Sequence, residues 1–122
     1  MKKFTPKEAT QTLPLVKQIV GDILQTGQEL QEIVKRLGAE AESEPEFRQK
    51  NAQLEALMGE LEELGCYFKD WNFTIGLVDF PSEIDGREVL LCWRSDEQEL
   101  TFYHGYHDGY MGRKLIPVEL LS

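Results

Sequence analysis

Cysteine and histidine are scarce, two of each in the chain. Cys66 and Cys92 fall in no metal-motif spacing, so a disulfide framework is excluded as the source of stability and a reducing cytoplasm is the expected location. Basic residues are also few. Thirteen Lys and Arg stand against 22 Asp and Glu, giving a formal charge of −9, and a phosphate-reading basic face is excluded with them. No nucleic-acid partner is therefore expected. No apolar run approaches the roughly 18 residues of a membrane span, so no membrane partner is expected either. Met1-Lys2-Lys3 passes directly to Phe4-Thr5-Pro6-Lys7-Glu8, and no secretory leader is expected. Ser43, Ser82, Ser95 and Ser122 are the only serines, and none sits in a nucleophile-elbow context. What is present suits one domain over residues 1–122, with 41% hydrophobic side chains for a modest core.

The front of the chain reads as helix. Thr5-Pro6-Lys7-Glu8 is a capping box with proline at the first helical position, where its missing N–H costs nothing. Ala9, Leu13, Val16, Ile19/Val20, Ile23/Leu24, Leu30, Ile33/Val34 and Leu37 recur as one buried stripe, and Gly38 ends a helix over 6–37. Pro14 predicts a kink near Leu13 or a restart capped by Thr12. Residues 38–44 form a polar connector. A second helix over 44–64 has proline in its first turn, a second capping box from Ser43 to Glu46, and a seam of Phe47, Leu54 and Leu61 seven residues apart. The pair reads as an antiparallel hairpin. The overhang of its longer helix predicts a homo-oligomer assembled through 6–37 and 44–64.

After Gly65 the period changes from 3.6 to 2, and ten of the twelve aromatic residues follow. Sheet and loops are expected over 66–119, with strands near 66–69, 74–80, 88–94 and 99–104 and an extended piece near 114–119. Asp85-Gly86 marks a turn. Placing Arg94 opposite Glu99 puts Val89 opposite His104, with Val89, Leu91, Trp93, Leu100, Phe102 and His104 on the face against the helices. Cys92 then falls on the other face. The fold class is α+β, a long antiparallel helical hairpin packed on a small antiparallel sheet.

Chemistry concentrates near residues 103–113. Tyr103-His104-Gly105-Tyr106-His107-Asp108-Gly109-Tyr110-Met111-Gly112-Arg113 holds both histidines and three glycines. It reads either as an anion-binding loop, its N–H groups and the planar Arg113 fork meeting carboxylate or phosphate, or as a tight turn whose tyrosines cover the sheet edge. Asp79 breaks the apolar alternation of Ile75 and Leu77. It either caps the turn before Pro81 or shares a cross-strand row with His104 at about 9.5 Å, two strand spacings, which suits flanking a small ligand. No metal and no cofactor are assigned: His-x-x-His-Asp is not a zinc spacing, and Cys92 is expected on the face opposite His104.

Phe4-Thr5-x-x-Glu8-Ala9 with Leu13-Pro14-Leu15, then Leu77-Val78-Asp79-Phe80-Pro81, Gly86 to Arg94, Glu97, His104 and Gly109-Tyr110-x-Gly112-Arg113, resemble an uncharacterised bacterial family, domain of unknown function 2203. The resemblance spans nearly the whole chain. It implies a small cytosolic protein with a helical front half and supplies no reaction. The family pattern carries acidic residues between His104 and Gly109, where this chain has Gly105 and His107. That departure makes His107 a poor candidate and leaves Asp79, Trp93, Glu97, His104 and Arg113 as candidate site residues. Two function classes remain. The favoured one is a non-catalytic binding or regulatory module assembling through its hairpin, because no complete catalytic set is visible. The other binds a small polar or anionic ligand at the sheet end, with Asp79 and His104 as an acid–base pair and Trp93, Glu97 and Arg113 as ligand contacts.

Overall fold

A computed structural model gives the fold and describes residues 2–122. Helix α1 (Pro6–Leu37) opens as its sequence dictates: the Glu8 amide donates to Thr5 Oγ1 at 3.0 Å and the Thr5 amide to Glu8 Oε1 at 2.8 Å. It runs through Pro14 as one α-helix, so there is no restart at Thr12, whose hydroxyl instead donates back to the Glu8 carbonyl at 2.9 Å. Residues Gly38–Ser43 form a short 3-10 helix, and α2 spans Pro45–Leu64. The second capping box does not form. Glu44 is the cap residue, and Ser43 Oγ donates to the Glu40 carbonyl at 2.8 Å within the preceding turn. Ion pairs Arg36–Glu46 at 3.0 Å and Glu29–Lys50 at 3.1 Å step in opposite directions along the two helices, as an antiparallel pair requires.

Gly65 ends α2 in the left-handed conformation, and the chain enters a five-stranded antiparallel meander. Its strands are β1 (Tyr67–Trp71), β2 (Ile75–Ile84), β3 (Arg87–Arg94), β4 (Phe102–Gly105) and β5 (Lys114–Leu115), side by side in chain order. β2 does not stop at Pro81. β1 reaches only to Tyr67 opposite Asp79, so β2 beyond that pair is an edge. The Pro81 carbonyl faces this edge, accepting from the Phe4 amide at 2.7 Å, and the N–H that proline lacks would have pointed the same way. Asp85 and Gly86 both have positive φ, 53° and 77°, and close a two-residue hairpin with Ile84 opposite Arg87.

One face of the sheet packs on the helices. Val78, Phe80, Ile84, Val89, Leu91 and Trp93 meet Ala9, Leu13, Val16, Val20 and Ile23 in a single core. Each large side chain buried there is worth about 1.5–3 kcal/mol. The part of α1 that outreaches α2 lies against this sheet, so the expected overhang is covered by the chain's own strands. The expected β3–β4 register is off by one residue. His104 lies opposite Leu90, Gly105 opposite Val89, and Phe102 opposite Cys92. Tyr103 therefore joins the core, while Phe102 and His104 turn to the outer face. Leu100 is buried as expected, but from a loop and not from a strand. No helix among the described residues is long and apolar enough to cross a membrane.

Two glycines of α1 test the packing of the β1–β2 turn. A Cβ on Gly27 would lie 2.1 Å from Phe73 Cδ1, whereas nothing lies within 4 Å of one on Gly21. Gly21→Ala should raise stability by up to about 1 kcal/mol through helix propensity. Gly27→Ala should lower it by about 1–2 kcal/mol, because overpacking against Phe73 outweighs the same gain. Urea unfolding of both variants checks the opposite signs.

Candidate functional site

The outer face carries the chemistry. The cross-strand row Tyr67, Asp79, Cys92, Phe102 runs over four strands, and His104 projects from β4 two pairs away, on the same face. Its ring reaches Asp79 directly, Nε2 lying 3.2 Å from Oδ1, and the other nitrogen meets the Gly105 carbonyl at 2.9 Å. This replaces the expected separation of about 9.5 Å, because the two side chains sit on adjacent diagonals of one face. Cys92 lies between their strands, on the same face as His104 and not the opposite one. Its sulfur lies within 4.8 Å of a carboxylate oxygen of Asp79. Asp79 thus caps no turn before Pro81; it ties β2 to β4 across β3.

These three residues line a cavity of about 330 Å³. Tyr67, Trp71 and Tyr110 wall it, with Lys69 at the side. Tyr110 arrives from the glycine-rich loop and stands edge-on to Trp71, ring centroids 5.5 Å apart. Its hydroxyl accepts from Arg94 Nη1, which pins the loop over the cavity. The glycines of that loop accommodate Asp108: a Cβ on Gly105 would lie 2.7 Å from Asp108 Oδ2, and one on Gly112 the same distance from Asp108 Cβ. Loop N–H groups are spent internally, Gly105 to Asp108 Oδ2, Asp108 to Gly105 and Gly112 to Gly109. The tight-turn account of the loop is the one its hydrogen bonds support. His107 is exposed and lines no wall of the cavity.

The remaining sequence candidates form a brace beside the cavity. Glu97 Oε2 accepts from Arg113 Nη2 at 2.6 Å, Glu97 Oε1 from the Arg94 amide at 2.8 Å, and the Glu97 carbonyl from Trp93 Nε1 at 2.8 Å. Trp93 belongs to the core face, away from His104. Arg113 stacks on Phe102 with its guanidinium carbon 4.0 Å from the ring centre, and its Nε is buried without a hydrogen-bond partner. Among the sequence candidates, Asp79 and His104 share the cavity, while Trp93, Glu97 and Arg113 hold its frame. Sequence reasoning set Cys92 aside on the expected register and missed Lys69 and the aromatic walls. One signal was available: read as a two-residue hairpin, Asp85-Gly86 places Asp79 opposite Cys92.

Burial shapes the electrostatics. It pushes the Asp79 carboxyl above its ordinary range, against the attraction of His104 and Arg113. Burial, then the charge of Asp79, pushes the Cys92 thiol up to about 12, and burial raises Cys66 to about 11. Neither cysteine is bridged. As free thiols they are poor nucleophiles. The carboxylate, thiol and imidazole donor atoms all lie within 4.8 Å of one another, a set able to hold a metal ion. Acid–base exchange between Asp79 and His104 is the other chemistry this geometry allows.

A family model described as an uncharacterized conserved protein, DUF2203, matches residues 2–116. The chain belongs to this family. No curated protein and no solved structure matches it. DUF2203 carries no described reaction, so the site has to be read from its own geometry.

The raised Asp79 carboxyl fixes the sign of a pH effect. A carboxyl whose folded value lies above its unfolded one favours folding while protonated, and that contribution is lost as pH rises through the raised value. The melting temperature of Asp79→Asn should therefore gain on the native chain as pH rises from below the ordinary value of 3.8 towards neutrality. Thermal unfolding of both across that range checks it; a constant difference contradicts it.

Proposed function

We propose that this DUF2203 protein binds a small polar molecule in the outer-face cavity, with Asp79 and His104 as the groups that orient it. The observation that carries the reading is the convergence of Asp79, Cys92 and His104, from three adjacent strands, on one aromatic-walled cavity. Nothing in the packing of the sheet asks for a carboxylate there, and its burial costs stability. Trp71, Tyr67 and Tyr110 offer ring faces and edges for a planar or sugar-like body. Asp79 suits a hydrogen-bond donor on the ligand, and Lys69 suits an anionic group. Arg113, engaged by Glu97, steadies the wall and anchors no anion directly. Free buried thiols fit a reducing cytoplasm.

One observation favours the other class. An apolar cleft of about 470 Å³ lies along the helical pair, lined by Leu30, Val34, Phe47, Leu54 and Phe73. It supports assembly through the helices as a second reading, and sedimentation of the native chain distinguishes a dimer from a monomer.

A thermal-shift screen of small polar metabolites, run with chelator present, tests the cavity. A ligand at a hundredfold its Kd stabilises by about 2.7 kcal/mol, several degrees in Tm. The shift should vanish in His104→Ala and persist in Val34→Ala. A screen in which no compound shifts the native chain, or in which the shift survives His104→Ala, contradicts the reading.

A further inference from the structure

We propose that Asp79, Cys92 and His104 form a binding site for one divalent transition-metal ion of the zinc class, open on the cavity side. The inference deepens the reading of this cavity as a ligand site and rests on it only for the purpose of the open position.

Donor chemistry selects the ion. One thiolate, one imidazole and one carboxylate make a mixed sulfur, nitrogen and oxygen set, which suits zinc or its neighbours and not magnesium or calcium, whose sites are built from oxygen. Geometry comes next. In a tetrahedral site with bonds of about 2.0–2.3 Å, donor atoms stand about 3.3–3.8 Å apart. Here the carboxylate oxygen, sulfur and imidazole nitrogen already lie within 4.8 Å of one another, and the closest pair is at 3.2 Å. Rotamer adjustments of less than about 1 Å would close the set around an ion.

The orientation of His104 is the more telling feature. A neutral imidazole has one N–H and one bare nitrogen. Nδ1 at 2.9 Å from the Gly105 carbonyl must carry the proton, because a carbonyl can only accept. In the neutral ring Nε2 then faces Asp79 Oδ1 with its lone pair at 3.2 Å, and the contact is completed either by a proton, which makes a charged imidazole–carboxylate pair, or by a metal cation. The ring is thus oriented so that a cation can sit between its near nitrogen and the carboxylate. Metal-ligating histidines are held in this way, the far N–H given to a backbone carbonyl so that the near nitrogen is fixed on the ion.

The surroundings agree. The three donors come from β2, β3 and β4, neighbours in a ladder, so their spacing is set by backbone and not by loops. Two cations stand near the site: Glu97 neutralises Arg113 at 2.6 Å, and Lys69 lies at the side of the cavity. Three protein ligands leave a fourth tetrahedral position, and the cavity lies on that side. An ion there would face a bound ligand directly.

Cobalt(II) titration of the native chain, reduced and treated with chelator beforehand, tests the site because a cobalt thiolate has its own near-ultraviolet charge-transfer band. The expected result is a band saturating at one ion per chain, lost in Cys92→Ser, kept in Cys66→Ser, and weakened in affinity tenfold or more in His104→Ala and Asp79→Asn. Zinc should displace the cobalt. No thiolate band on the native chain overturns the proposal, and so does a band that survives Cys92→Ser. The native titration decides by itself if a variant fails to fold. The two readings fail separately: a metabolite shift that persists in chelator leaves the cavity standing without its metal, whereas a cobalt band with no metabolite shift leaves the metal site standing alone.

Discussion

A side chain in a β-sheet faces one way or the other according to the parity of its strand's pairing, and a slip of one residue reverses every side chain in the strand. Two turns set that parity here. Asp85 and Gly86, both at positive φ, hold β2 against β3 with no slack and put Asp79 opposite Cys92. The second turn is longer and is held by Glu97, which accepts from the Arg94 amide, the Trp93 indole and the Arg113 guanidinium. Three stretches of chain meet at that residue: β3, the turn itself and the segment at Arg113. Because of it, β4 enters one residue later than simple alternation suggests, and His104 is delivered to the same side as Asp79 and Cys92.

The helices cover one face of the sheet with apolar side chains, which frees the other face for polar ones. α1 and α2 supply the core, and the glycine-rich loop wraps Asp108 and lays Tyr110 beside Trp71. A partly buried carboxylate beside a buried thiol and imidazole is costly to gather in so small a domain. Their hydrogen bonds offset part of that cost, but an apolar trio would be more stable. Groups kept against stability on a rigid frame are the signature of a site.

Local features were legible in the sequence, and features that depend on tertiary partners were not. The Thr5–Glu8 box needs only four consecutive residues, and it forms as read. The box at Ser43 has the same hydroxyl-to-glutamate spacing, but a 3-10 turn captures the serine first. Val89, Leu91 and Trp93 were assigned to the core face correctly, since three apolar residues alternate there without ambiguity. Phe102 and His104 were not, because the loop over residues 95–101 is organised by a carboxylate whose partners lie on two other segments, β3 and the stretch at Arg113. Pro81 suggests a strand end, yet it sits on an edge beyond the last β1 pair, where its missing donor removes no bond from the β1 ladder. The Asp79–His104 pairing was foreseen on a mistaken geometry: the register moved His104 to the far face, and the tight hairpin had already placed Asp79 there.

The face on which His104 lies decides the account, and proton–proton Overhauser contacts from its imidazole ring measure it most directly. Contacts to the β-protons of Cys92 and the methyl groups of Leu90 are the predicted result. Contacts to the methyl groups of Val89 and Leu91 would turn the ring into the helical core and contradict it.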